Sequence, residues 1–435
     1  MEEALGKGEG FVVKKLEPVM VPPASKTDDG FYFLSNLDCY QNLILTTIYC
    51  YKSDPKRSNS NACEVIKPAL AEVLVHYYPF AGRIAENDSD GKLKIDCTGE
   101  GVPFVEAVAD CELEVLGDTA KSSNFEMLGK LVHTYPRSKN ILEIPLLTAQ
   151  VTKFKCGGFV LGLAINHCMA DGICAIEFVN SWAEITRGSP ISVFPFLDRT
   201  IINSRQPLKI EFPHNEFYEI KDVPKNILPS TSKDDELIRK SFCFKEKMLT
   251  HLRTLAMEDG EVEKCSNFTV VAAHTWRVMT ESLNMEADQQ TKLVFAVDLR
   301  SKFDPPLPKG YFGNAIFHPC CLCNAGELTS KPLWFAVKLV QDAIKSVTEE
   351  YARSAIDNYE VKRVNPLATY TLFISSWTRL GFHDIDFGWG KPTQTTLANP
   401  GPNLCFVLPQ NEENKDLNIL MVMTASLMNS FSELI

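Results

Sequence analysis

Between Gly157 and Gly188 the chain changes its side-chain period, and it does so at a turn that carries a histidine. Residues 159–165 are a short apolar run bounded by Gly157-Gly158 and by Asn166, the pattern of a buried strand. Beyond residues 167–172, Ile173, Ile176, Val179, Ala183 and Ile185 trace one face of a helix that closes at Arg187-Gly188. A strand, a turn and a helix are therefore expected in immediate succession.

The rest of the chain mixes the two periods. Strands are expected over residues 43–51, 92–97, 293–299, 370–374 and 419–423, with weaker extended character over 11–16 and 19–23. Val65, Leu70, Val73, Leu74 and Tyr77 recur at helical spacing before Pro79, and helices are expected over 268–279 and 333–351. Residues 243–257 read as a strand end running into a helix. No strict βαβα rhythm emerges, so the fold class is α/β in its mixed, α+β form. A chain of 435 residues outgrows one hydrophobic core. The proline-rich, aperiodic stretch after Pro190 reads as a crossover, predicting domains at 1–195 and 226–435 joined by a loop over 196–225.

Charge and termini bound the partners. A net charge of -11 disfavours general nucleic-acid binding, though a local basic patch is able to hold one polyphosphate. No secretory signal, lipidation motif or membrane-length apolar run is present, so a cytoplasmic protein without a membrane span is expected. The 14 cysteines are scattered, mostly within apolar runs. Cys320 and Cys323, beside Cys321 and His318, have metal-like spacing but no second ligand pair, so strand packing is the reading there and no metal is expected. Gly6-Lys7-Gly8-Glu9-Gly10 lacks the preceding strand that a phosphate loop needs.

Chemistry concentrates at His167-x-x-x-Asp171-Gly172. Histidine takes and returns a proton near neutral pH, and a strand exit is where functional side chains collect. Asp171 stands where a carboxylate caps a helix; a capped helix behind a satisfied polar histidine is the plainer alternative. A metal site lacks a third ligand, and a serine-hydrolase triad lacks a Gly-x-Ser-x-Gly elbow. Asp386-Phe387-Gly388-Trp389-Gly390 reads as a tight turn. Ser375-Ser376-Trp377, at a strand end, offers a hydroxyl and an indole N–H, both of them donors suited to a developing oxyanion.

His167-x-x-x-Asp171-Gly172 followed by Asp386-Phe387-Gly388-Trp389-Gly390 resembles the plant BAHD acyltransferase family. Tyr78-Pro79-Phe80-Ala81-Gly82-Arg83 and residues 306–314 resemble further signatures of it, in the expected order. The resemblance implies two chloramphenicol-acetyltransferase-like sandwich domains with a channel at their interface. It implies that His167 is the general base for attack of an acceptor hydroxyl on an acyl-CoA thioester, in a ternary complex without an acyl-enzyme. Trp377 and Ser375 would stabilise the oxyanion. Asp171 would be structural, paired with Arg300, and Gly172, Asp386, Gly388 and Gly390 would shape their loops. No cofactor is implied, because acyl-CoA is itself a substrate, and a monomer is expected.

Within the family, the likeness is to the branch that transfers hydroxycinnamoyl groups, such as feruloyl from feruloyl-CoA, to long-chain ω-hydroxy acids and fatty alcohols in suberin formation. Ser35-Asn36-Leu37-Asp38, residues 178–182, residues 195–199, Ser354-Ala355-Ile356-Asp357 and residues 377–383 carry it. Ser35, Asn36, Asp38 and Ala170 would then face the substrates. That branch has Thr-Thr-Trp where this chain has Ser375-Ser376-Trp377, and a bulkier residue at Ala170, so the space beside His167 is expected to be larger. An amine acceptor, giving an amide, or another specialised-metabolite alcohol is the alternative within this chemistry. A non-catalytic acyl-CoA-binding relative is the alternative outside it.

Overall fold

The computed structural model describes residues 11–39, 41, 43–54, 61–87, 91–121, 125–136, 140–220, 236–363, 371–409 and 415–435. The Gly6–Gly10 run lies outside them. The chain divides into two units: Met1–Phe33, Leu43–Pro195 and Gly381–Asn399 form one, and Leu34–Asn42, Phe196–Leu380 and Pro400–Ile435 the other.

This corrects the expectation of a contiguous 226–435 domain carrying Asp386. Strand Gln394–Leu397 pairs antiparallel with strand Ile44–Tyr51 and closes one edge of the first unit's sheet. Backbone hydrogen bonds thus draw residues 381–399 out of the C-terminal half. Residues 196–220, expected as a bare loop, belong to the second unit.

The first unit's principal sheet runs, in order, Val13–Lys15, Val102–Ala109, Leu147–Lys153, Phe159–Asn166, Ile44–Tyr51 and Gln394–Leu397, and strand Val19–Val21 also pairs with Val102–Ala109. Every residue of Phe159–Asn166 is buried, as its unbroken apolar run requires. Gly162 sits mid-strand because a Cβ there would lie 2.0 Å from the Leu131 carbonyl oxygen. One core gathers Phe11, Ile48, Leu128, Leu131, Val160 and Ala164. Helices Ala62–His76 and Gly172–Thr186 pack on each other. Trp182 anchors that contact, fully buried, with Nε1 donating to the Ile66 carbonyl at 2.9 Å.

The second unit holds a six-stranded sheet ordered Leu237–Phe244, Leu417–Thr424, Leu404–Pro409, Leu372–Ser376, Gln290–Phe295 and Cys320–Asn324. Its central strand Leu372–Ser376 runs parallel to both neighbours. Helices Glu246–Met257, Asn267–Ser282, Leu333–Ser346 and Ala425–Leu434 contribute to one large apolar core with residues of this sheet. Cys320–Asn324 is a strand, and its cysteines are free thiols.

Two elements differ from their sequence reading. The expected helix over 333–351 is two helices, Leu333–Ser346 and Glu349–Lys362, because Thr348 turns extended and its hydroxyl caps the second at the Tyr351 N–H. The strand expected over 293–299 is likewise two, Gln290–Phe295 and Val297–Asp298. Strands Val102–Ala109 and Leu147–Lys153 and helix Ala425–Leu434 are further elements, the helix burying Leu427, Met428 and Phe431 at helical spacing. Among the described residues, no helix is long and apolar enough to cross a membrane.

Candidate active site

His167 is the first residue beyond strand Phe159–Asn166 and is half-buried. Its N–H donates to the Leu43 carbonyl at 2.8 Å, so the antiparallel pairing with Ile44–Tyr51 extends to the histidine itself. Asn166 shapes the turn. Its Oδ1 accepts from the Cys168 N–H at 3.1 Å, and its carbonyl accepts from the Met169 N–H at 3.0 Å. Cys168, Met169 and Ala170 are buried, so the turn is packed into the unit.

Asp171 is the N-cap of helix Gly172–Thr186. Its backbone is extended, its Oδ1 accepts from the Cys174 N–H at 3.0 Å, and its carbonyl takes the Ala175 N–H at 2.8 Å. A carboxylate there also meets the positive end of the helix dipole. The spacing from His167 to Asp171 is thus the length of one turn that must leave a strand and enter a capped helix.

The Asp386–Gly390 segment lies in the same unit. Asp386 Oδ1 accepts from the Gly388 N–H at 2.6 Å, and Gly388 and Gly390 adopt φ of +101° and +80°. That backbone favours glycine. The two aromatic side chains of the segment point into the unit. Phe387 stands edge-on to Tyr51 and to Trp182, with ring centroids 6.1 and 5.4 Å apart. Trp389 meets Phe159 at 5.1 Å. The Tyr51 hydroxyl donates to the Ile385 carbonyl at 2.9 Å, and the Arg187 guanidinium donates to the Asp386 carbonyl. The segment therefore grips the strand that delivers His167 and the helix that leaves it. In the sequence Tyr51 and Arg187 mark only a strand end and a helix end; no local signal shows their role here, since they act on Ile385 and Asp386, more than 190 residues away.

The remaining candidates lie in the second unit. Ser375 lies in strand Leu372–Ser376, and Trp377 is the first residue beyond it. Trp377 is buried and its N–H continues the ladder to the Val407 carbonyl at 2.8 Å. Its ring stands edge-on to Phe406 at 5.3 Å. Arg300 contacts Asp298 Oδ1 through Nη1 at 3.0 Å and the Gly313 carbonyl through Nη2 at 3.3 Å.

Ser35, Asn36 and Asp38 are all buried, and the structure shows what they bind. Asp38 Oδ2 accepts from the Ser35 N–H and hydroxyl, both at 2.7 Å, and pairs with Arg199 Nη1 at 3.2 Å. Its Oδ1 accepts from the Asn314 N–H and Nδ2 at 2.8 and 2.9 Å. Asn36 Nδ2 donates to the Ile356 carbonyl and to Glu360. Three sequence signatures, at residues 35–38, 195–199 and 306–314, thus converge on one buried carboxylate. Its capacity is filled from within the protein.

Among the described residues, the cluster with metal-type donors in mutual reach is Glu112, Glu114 and Cys156, whose two acids are exposed; His167 is not part of it.

Residues 11–434 match the family described as the Transferase family. The chain is a BAHD acyltransferase. It is 52% identical over 425 residues to the omega-hydroxypalmitate O-feruloyl transferase of Arabidopsis thaliana, covering 97% of this chain and 92% of that one. It is 46% identical to the fatty alcohol:caffeoyl-CoA acyltransferase of the same plant, covering 97% of each. Vinorine synthase shares the fold, with a TM-score of 0.76 over 98% of both chains at 24% identity.

Proposed function

We propose that this BAHD acyltransferase moves a hydroxycinnamoyl group, feruloyl foremost, from CoA to the terminal hydroxyl of a long-chain ω-hydroxy acid or fatty alcohol. The observation that carries the reading is the high identity, over nearly the whole chain, to two relatives named for acceptors of that kind.

His167 is the general base. Its imidazole takes the acceptor hydroxyl proton as that oxygen bonds to the thioester carbonyl carbon, which gives a tetrahedral oxyanion. The carbon–sulfur bond then breaks, and the departing CoA sulfur receives the proton from the imidazolium. Ester and free CoA result, and no bond to the protein has formed. Trp377 Nε1–H and Ser375 Oγ–H serve the oxyanion. Their nearness in the chain at the end of a central strand supports the pairing, since Ser375 lies on the strand and Trp377 is tied to its neighbour through the Val407 carbonyl.

Asp171 and Asp386 support loops, and Arg300, held by Asp298 and the Gly313 carbonyl, supports its own. The filled carboxylate of Asp38 supports an indirect role for Ser35, Asn36 and Asp38, which shape the acceptor side without touching the reacting atoms. Ala170 is buried in the turn after His167, and its small side chain is assigned to the acceptor side. The enzyme works in the cytoplasm as a monomer, with acyl-CoA as substrate and no bound cofactor.

The test is a matrix of acyl-CoA donors against alcohols and amines, with products read by mass spectrometry. Feruloyl- and caffeoyl-CoA with alcohols of increasing length are expected to dominate. An apolar acceptor site gains up to about 0.8 kcal/mol per buried CH₂, almost fourfold in kcat/KM per methylene until it is filled. A flat length series, or shikimate, quinate or a primary amine outrunning the long alcohols, would overturn the acceptor assignment.

A further inference from the structure

The reading above leaves one group of buried polar side chains unused. His214 lies in the stretch that follows Arg205, and it is buried with a left-handed backbone, φ +46° and ψ +61°. A non-glycine residue held in that region stores strain, which the surroundings must offset. Both of its ring nitrogens are engaged. Nδ1 lies 2.7 Å from Glu216 Oε1, and Nε2 lies 2.8 Å from Ser354 Oγ, on helix Glu349–Lys362.

Serine, histidine and carboxylate in this order reproduce the connectivity of a hydrolase relay. Access rules out that use: Ser354 is 0% exposed, Glu216 1% and His214 4%, and Ser354 Oγ already accepts the Glu211 N–H at 3.0 Å. The second carboxylate oxygen of Glu216 accepts from the Tyr351 hydroxyl at 2.8 Å. One helical turn beyond Ser354, the carboxylate of Asp357 accepts from the Arg205 N–H and Nε, each at 2.7 Å, and from the Lys209 N–H at 2.9 Å. Ser354 and Asp357 thus fasten residues 205–216 along one face of the helix.

The network continues into the central sheet. Lys292, fully buried on strand Gln290–Phe295, donates from Nζ to the carbonyls of Glu216 and Tyr218 at 2.7 and 2.9 Å. Burial pulls its pKa down, the neighbouring Cys320 and Glu216 oppose that shift, and the two carbonyls accept hydrogen bonds from the ammonium. The Lys292 main chain is bonded in both directions to Thr371: its N–H donates to Thr371 Oγ1 at 3.0 Å and its carbonyl accepts the Thr371 N–H at 2.8 Å. Thr371 immediately precedes the strand that carries Ser375 and leads to Trp377.

We propose that His214 is a positioning residue: bridging Ser354 and Glu216, it latches residues 205–218 onto helix Glu349–Lys362 and, through Lys292 and Thr371, sets the start of the strand bearing Ser375. The last link rests on the proposed role of Ser375 and Trp377; the latch does not.

The test uses the full chain and two readouts. In His214→Leu and in Ser354→Ala, amide hydrogen exchange over residues 205–218 is expected to quicken on the order of tenfold, while strand Leu417–Thr424 keeps its protection. Glu216→Gln retains an acceptor for the imidazole and is expected to keep exchange slow. Turnover per folded molecule in His214→Leu should fall on the order of tenfold, with KM for feruloyl-CoA nearly unchanged. Unchanged exchange in Ser354→Ala, which removes one partner and leaves the imidazole in place, would overturn the latch even if His214→Leu does not fold. A uniform rise across the unit would do the same. Faster exchange with undiminished turnover would overturn the link to Ser375.

Discussion

Replacing Asp38 by alanine tests whether a signature expected to face substrate is instead a buried fastening. The wild-type carboxylate takes two hydrogen bonds from Ser35 and two from Asn314 and pairs with Arg199, with both charged side chains 0% exposed. Removing it takes the carboxylate from a buried guanidinium whose Nε donates to the Phe312 carbonyl and which lies over the Phe312 ring. Breaking a buried pair from one side costs about 3–5 kcal/mol. For a unit of this size, where 1 kcal/mol shifts the midpoint by about 2–4 °C, the melting temperature should fall roughly 10 °C. The assay is urea and thermal unfolding of wild type, Asp38→Ala, Arg199→Ala and the double variant. The double variant should lose less than the sum of the singles, with a coupling of about 1–3 kcal/mol. A midpoint within about 2 °C of wild type, accompanied by a large rise in KM for the alcohol, would refute the reasoning and return Asp38 to direct substrate binding.

His167→Ala should cost about 10²–10⁴ in turnover while melting and CoA affinity stay near wild type; near-normal turnover in a clean preparation would remove the histidine from the chemistry. Trp377→Phe keeps the packing against Phe406 and deletes the N–H, so kcat should fall on the order of tenfold or more with KM little changed, as read by steady-state kinetics. Gly162→Ala forces a methyl to within 2.0 Å of the Leu131 carbonyl oxygen, so soluble yield and melting temperature should drop, and a normal melt would show that the strand and the 125–136 segment part freely. Phe387→Ala empties a fully buried ring site between Tyr51 and Trp182 and should cost about 3–5 kcal/mol by urea unfolding; a loss confined to KM for acyl-CoA would instead place that ring against the substrate.

Some of this protein was legible in its sequence because the forces involved are local. The apolar run at 159–165, the turn at His167 and the face from Ile173 to Ile185 reappear as a wholly buried strand, a packed turn and a capped helix. Period and capping chemistry are properties of near neighbours, so a single chain segment displays them. The ordered motifs pointed to the family for a related reason: they sit at turns and caps where few residue types fit. Tertiary structure decided what depends on partners far along the chain. Strand Gln394–Leu397 looks like any short polar-apolar run until it pairs with Ile44–Tyr51 and carries Asp386 into the first unit. Asp38 looks like a ligand-facing acid until Arg199 and Asn314 reach it, and Lys292 looks incidental and Ser354 merely part of a signature until residues 205–218 cross them. Whether a polar side chain meets substrate or is satisfied from within is set by which distant donors desolvate it, and residue spacing does not encode that.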